Sequence, residues 1–338
     1  MRPYPVFLSA VLILCIALVS SCKPAGEGSG KSAAAGSSSP ESTLLAQEPK
    51  VLTAEQAAER NLSPYVGAFN SLVDHERGLP ETYRSFMRGF RNARQLGNQE
   101  FPVVENLAQT ITTLQLSLLT RPPGEEQLNV RATELIDALE VLLASEKEMV
   151  AIYGDREDQA DIMAKARPLL ARLQSDYEKA LLSLSRLGDE IMRSRRQIAE
   201  KRMEQFREVD NMIAYHTEEI MILSEEILAL FDDPKVPFNR AVNFSRGNIL
   251  VVRMDNAIRA LRRATDEARA KGDKVNPYFD AIRNRASGII ADYREVRDRR
   301  SQTAFVNMLK KFDLAIQDYK SAQIAAMYLD DAESAAPG

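Results

Sequence analysis

The sequence predicts an all-α protein: an elongated antiparallel helical bundle with one or two long, coiled-coil-like helices. Two observations lead there. From residue 53 onward, apolar side chains recur at spacings of three and four, the period of a single helix face. The helix formers Ala, Leu, Glu, Arg and Gln are abundant, while alternating Val, Ile and Thr runs of the strand type are scarce.

The elements follow in order. Thr53 with Gln56 has capping-box spacing, and Leu62, Tyr65, Val66, Phe69, Leu72 and Val73 form the first stripe. Gly78 and Pro80 close that helix and open the next, striped by Tyr83, Phe86, Phe90 and Ala93. Val104, Leu107, Ile111, Leu114 and Leu118 make a third stripe, closed by Pro122-Pro123-Gly124. A fourth runs through Leu128, Ala132, Leu135, Leu139, Leu142 and Met149 to Gly154.

Asp155 with Asp158 marks a capped start for the longest segment. Its stripe runs Ile162, Ala166, Leu169, Leu173, Tyr177, Ala180, Leu184, Leu187 and Ile191, then resumes at Phe206, Val209, Ile213, His216, Ile220, Leu223, Ile227 and Leu230. Unbroken, residues 157–231 would span roughly 110 Å. A kink at Pro168 and a break near Gly188 are therefore expected. Residues 232–252 are hardest to read: Pro234 and Pro237 oppose a continuing helix, and Ile249–Val252 fits either a strand or a buried helix. Met254, Ile258, Leu261 and Ala268 restore the helical period up to Gly272. Asn276-Pro277 caps the next helix, striped by Phe279, Ile282, Ala286, Ile289, Tyr293 and Val296. The last helix carries Phe305, Leu309, Phe312, Ile316 and Tyr319. An echo of Pro64-Tyr65 at Pro277-Tyr278 has unequal downstream spacing and is not read as a repeat.

The N-terminus differs in kind. Arg2 precedes an apolar run from Val6 to Val19, too short for a membrane span and suited to an export signal. The ending Val19-Ser20-Ser21-Cys22 resembles the lipobox of bacterial lipoproteins. That resemblance implies cleavage before Cys22 and lipidation of its sulfur. Lys23 in the next position resembles the pattern of outer-membrane-sorted lipoproteins, which implies an outer-membrane anchor facing the periplasm. The expected organisation is a signal over 1–21, a lipidated Cys22 with a flexible Gly/Ser/Ala/Pro tether over 22–52, a helical domain over 53–330 and a disordered tail over 331–338. Treated as a flexible coil, the tether spans roughly 30 Å.

Composition excludes some roles. Without Arg2 the mature chain carries 43 basic and 48 acidic side chains, which argues against the phosphate neutralisation of a general nucleic-acid binder. Cys15 lies in the signal and Cys22 is the lipidation candidate, so no thiol remains for a disulfide. The domain must hold by core burial.

Candidate chemistry is sparse. The two histidines, His75 and His216, are far apart in sequence. His216 and Glu219 form a His-x-x-Glu pair that could offer two metal ligands and is similar to the H-x-x-E motif of imelysin-like periplasmic proteins. The preferred reading is a core histidine between Ile213 and Ile220. Asp155, Glu157, Asp158 and Asp161 lack the Gly and Glu of a calcium loop and read as a helix N-terminus. Arg193, Arg195, Arg196, Lys201 and Arg202 alternate with Glu200, Glu204 and Glu208, which predicts a solvated face. Arg294, Arg297, Arg299 and Arg300 are read as surface charge, with headgroup or cell-wall contact as the alternative. Tyr65, Phe69, Phe86, Phe90, Tyr278 and Phe279 are expected in the core. No catalytic residue, metal ligand or cofactor is assigned.

Pro64-Tyr65-Val66-Gly67-Ala68-Phe69-Asn70-Ser71-Leu72-Val73, following the lipobox and tether, resembles the opening helix of the YiiG-like bacterial lipoproteins. Phe69 stands where that family's motif has Tyr, and Tyr278–Val296 offers a looser second match. The resemblance implies an all-helical domain of unknown function and transfers no catalytic residue. The expectation is a non-enzymatic, lipid-anchored envelope protein that binds or scaffolds a protein partner, with membrane lipid engaged through Cys22. The alternative is a solute- or metal-binding lipoprotein with its site near His216.

Overall fold

A computed structural model describes residues 54–73, 77–91, 101–120, 125–154, 159–231 and 244–334. Nine helices and no strands are found among them: α1 (Ala54–Val73), α2 (Leu79–Arg91), α3 (Leu107–Thr120), α4 (Glu126–Gly154), α5 (Gln159–Glu208), α6 (Met212–Ala229), α7 (Phe244–Ala270), α8 (Tyr278–Arg299) and α9 (Gln302–Ser334). The signal, Cys22, the tether, Thr53, His75, the Asp155–Asp158 start and residues 232–243 lie outside the described residues.

Side-chain pairs across neighbouring helices show the antiparallel order. Ser145 Oγ bonds Asp176 Oδ2 at 2.7 Å, and Ser194 Oγ bonds Glu125 Oε2 at 3.0 Å, so α4 runs back along the first part of α5. Arg195 meets Glu225 at 3.2 Å and Arg202 meets Glu218 at 3.7 Å, so α6 runs back along the last part. Lys311 with Asp292 at 2.7 Å and Arg285 with Asp318 at 3.5 Å register α8 against α9 in the same sense. At 50 residues, α5 is about 75 Å long.

Two apolar cores hang on this spine. One gathers α1–α4 and α5 as far as Ile198, around Leu72, Leu114, Leu135, Leu139 and Tyr177. The other gathers α6–α9 around Ile220, Ile227, Met254, Leu261, Ile289 and Phe312. Met192 of α5 packs against both. Gly188 admits the close approach of α1, since a Cβ there would sit 2.8 Å from the Phe69 ring.

The long segment does break, though not near Gly188, where the break was expected. α5 runs through both Pro168 and Gly188 and ends at Glu208. Asp210 adopts a left-handed φ of 56°, its N–H reaching Arg207 O at 3.3 Å and the Asn211 N–H reaching Phe206 O at 2.8 Å. This pair of bonds is a Schellman closure. Asn211 then caps α6 by accepting the Ala214 N–H at 3.1 Å. Two adjacent residues therefore stop one helix and start the next, and Val209 is 71% exposed at the tip and not on the stripe.

The end of α7 and the start of α8 follow expectation. Gly272, at φ 92°, closes α7 with the Asp273 N–H on Ala268 O at 3.0 Å. Asn276 Oδ1 accepts the Tyr278 N–H at 3.0 Å, opening α8 one residue after the expected proline. Ile249–Val252 is helical, with Leu250 and Val251 buried and Ile249 and Val252 facing outward. α9 continues to Ser334, into the stretch expected as a tail. Pro64 lies inside α1 whereas Pro277 precedes α8, so the two Pro-Tyr pairs are not equivalent.

Candidate functional site

The most concentrated polar chemistry lies where the two cores meet. In α5 the apolar stripe continues past Ile191 as Arg195, Ile198 and Arg202, so charged residues occupy inward positions. The Arg202 guanidinium places Nη2 at 2.5 Å from Glu59 Oε1 of α1 and 3.7 Å from Glu218 Oε1 of α6. Its Nη1 donates to the Tyr319 hydroxyl of α9 at 3.3 Å. Tyr319 in turn donates to Glu218 Oε2. Four helices are thus tied through one guanidinium.

Burial is deep: the Glu218 side chain is 6% exposed and that of Arg202 16%. Burial raises the Glu218 carboxyl above its usual range, with Arg202 and the Tyr319 hydroxyl pulling back. Burial disfavours the charged Arg202, but Glu218, Tyr319 and Glu59 outweigh it and keep the guanidinium ionised. The Tyr319 hydroxyl is pushed well up by burial and then by Glu218. Removing one partner from such a set leaves a buried charge and costs about 3–5 kcal/mol.

Beside this cluster is a cavity of about 70 Å³, lined among others by Glu59, Arg195, Arg202, Glu225, Lys320 and Gln323. Arg195 and Glu225 are each 17% exposed. The solvated face expected for Arg193–Arg202 is corrected here. Arg196 and Lys201 face outward, but Arg195 and Arg202 turn inward because their register coincides with the apolar stripe.

A second buried carboxyl lies in the first core. Glu146, 3% exposed, accepts the Tyr177 hydroxyl at 2.6 Å and the Val104 N–H at 3.1 Å, both on Oε1. No cation pairs with it among the described residues. Burial lifts its pKa from 4.5 to about 7, against the two hydrogen bonds. It sits where the α4 stripe passes from Leu142 to Met149, one helical step from each. A charged residue at a stripe position was the available signal for both sites, Arg195 and Arg202 in one and Glu146 in the other.

His216 and Glu219 do meet, with Nδ1 3.1 Å from Oε2, and the His216 side chain is 16% exposed against the Tyr215 ring. His216 is therefore a half-buried, hydrogen-bonded residue and not one packed only among apolar neighbours. Among the described residues no group of three His, Cys, Asp or Glu side chains is placed to hold a metal. Arg297 pairs with Asp298 at 2.7 Å, and Arg300 stacks its guanidinium 4.2 Å above the Phe244 ring. Tyr65, Phe69 and Phe86 are core as expected, whereas Tyr278 is 39% exposed; Phe90's side chain lies outside the described residues.

The profile of a family described as proteins of unknown function, DUF3829, matches residues 58–322. The chain belongs to the DUF3829 family. The matched span begins in α1 and ends in α9, so it takes in both cores and the junction between them. No curated protein and no solved structure matches the chain. Within this DUF3829 body, among the described residues, no helix is long and apolar enough to cross a membrane.

Proposed function

We propose that the protein is a lipid-anchored lipoprotein of the bacterial envelope, akin to the YiiG-like lipoproteins, whose helical body is a non-enzymatic interaction module. The observation that carries this reading is the Val6–Val19 apolar run ending in Val19-Ser20-Ser21-Cys22. Two or more acyl chains on Cys22 give stable attachment, since each buried CH₂ contributes about 0.8 kcal/mol and one chain alone is marginal. Lys23 favours the outer membrane, with the body on the periplasmic side.

For the body, support comes from the open groove between α4 and α5. Val141 and Leu182 stand 49% and 52% exposed there, flanked by Glu134, Asp137, Lys179 and Arg186. An apolar floor with charged rims of both signs is the form in which a partner's amphipathic helix seats.

Fractionation with labelled palmitate tests the anchor. Wild type is expected as a labelled, membrane-bound mature form, and Cys22→Ala as unlabelled precursor or soluble protein. A Cys22→Ala chain that still matured and carried label would refute the lipobox reading. Photo-crosslinking from position 182 in intact envelopes tests the module. One reproducible protein adduct, lost on Val141→Glu, is expected; adducts indifferent to that change would count against the groove.

A further inference from the structure

We propose that the junction cavity between the two cores is a binding site for a small oxyanion, a phosphate or carboxylate group. The argument rests on donors left without acceptors. The Lys320 side chain makes no ion pair among the described residues and lines the cavity from α9. Arg195, on α5, uses Nη2 on Glu225, while its Nη1 has nothing better than the Met192 sulfur at 4.0 Å. Arg202, two turns further along the same face, has a buried Nε with no acceptor at all. A buried donor left unmade costs about 1–3 kcal/mol, more for a charged group; Arg202 Nε is such a donor, and with the half-buried Arg195 and Lys320 beside the same cavity it calls for a common acceptor.

The charge count allows an anion. Arg196 is taken up by Glu226 and Glu200, which leaves Arg195, Arg202 and Lys320 against Glu59, Glu218 and Glu225. Glu218 is also the carboxyl that burial biases towards its neutral form. Arg195 and Lys320 repel one another: Lys320 is lowered by burial first and by Arg195 second. An anion between them turns that repulsion into two charge-assisted hydrogen bonds.

Size restricts the ligand. A water needs about 10–15 Å³ of such space, so about 70 Å³ holds several waters or one compact anionic group, and no extended solute. The site draws on α5, α6 and α9, with α1 at its edge through Glu59, so an occupant braces the two cores against each other. None of this depends on the lipid anchor or on the α4/α5 groove.

Calorimetric titration of the full chain in detergent, at constant ionic strength set by chloride, provides the test. Inorganic phosphate is expected to bind with a Kd of about 1 mM or tighter. Lys320→Gln should weaken it at least about tenfold, whereas Lys320→Arg should retain it. Acetate in place of phosphate distinguishes a planar from a tetrahedral preference. Vesicles of phosphatidylglycerol distinguish a headgroup from a free anion, and Lys320-dependent binding in any of these arms supports the site. No binding in any arm, or binding equal in wild type and Lys320→Gln with unchanged helical signal, overturns it. Arg195→Gln gives an independent check on α5 and should show the same loss.

Discussion

Replacing Glu146 by Gln should remove a pH dependence of stability that the wild-type chain carries in its first core. Burial raises this carboxyl from 4.5 to about 7 in the folded protein. Between those values the folded state holds more protons than the unfolded one, so stability falls as pH rises. The contribution is fully present below about 4.5 and lost as pH rises through about 7. A rise of 2.5 units at 1.36 kcal/mol each sets the loss at about 3 kcal/mol. Gln keeps an oxygen for the Tyr177 hydroxyl and the Val104 N–H but cannot ionise. The variant and wild type should therefore match near pH 5, and the variant should be more stable by about 2–3 kcal/mol near pH 8. Urea unfolding followed by circular dichroism over that range measures both. The difference between the two chains is the quantity to use, because Glu125, Asp189 and Glu218 are also raised and add their own slopes to each. A difference flat in pH, or a variant weaker than wild type at pH 8, would refute the reasoning.

Further substitutions probe the helix break and a close packing contact. Asp210→Gly should stabilise by about 0.5 kcal/mol, because relief of the left-handed strain exceeds glycine's added unfolded entropy, while Asn211→Ala should cost about 1 kcal/mol through loss of the α6 cap; paired thermal melts decide both. Gly247→Ala places a Cβ 2.1 Å from the Tyr293 hydroxyl, which donates to Phe244 O at 3.2 Å, so it should cost about 1–3 kcal/mol, and Tyr293→Phe in the same background should recover part of it.

The stripes were legible because periodicity reports which face turns inward. Leu128, Ala132, Leu135, Leu139, Leu142 and Met149 are all essentially inaccessible, as their spacing required. Periodicity does not report what occupies an inward position, so Arg195 and Arg202 were read by charge and not by register, and Glu146 drew no reading at all. Their partners, Glu59, Glu218, Tyr319 and Tyr177, lie between 16 and 143 residues away along the chain and leave no local trace. The helix break was missed for a related reason. Gly and Pro are the expected punctuation, yet Gly188 serves packing against Phe69, and the left-handed residue is Asp210. Asp followed by Asn was the signal, since both tolerate that region and Asn is a strong N-cap.

That a single continuous α5 serves both cores imposes a phase condition on the protein. Each residue of helix advances the axis by about 1.5 Å and turns it by about 100°. One residue inserted between Leu187 and Arg195 would swing Arg195, Ile198 and Arg202 to a new side of the rod, and with them every contact to α6 and α9, while α1–α4 stayed in place. Seven inserted residues would nearly restore the angle but lengthen the rod by about 10 Å, parting Arg202 from Glu59. The stretch of α5 that spans the two cores is therefore fixed in length as well as in sequence pattern, and indels compatible with this fold must fall outside it.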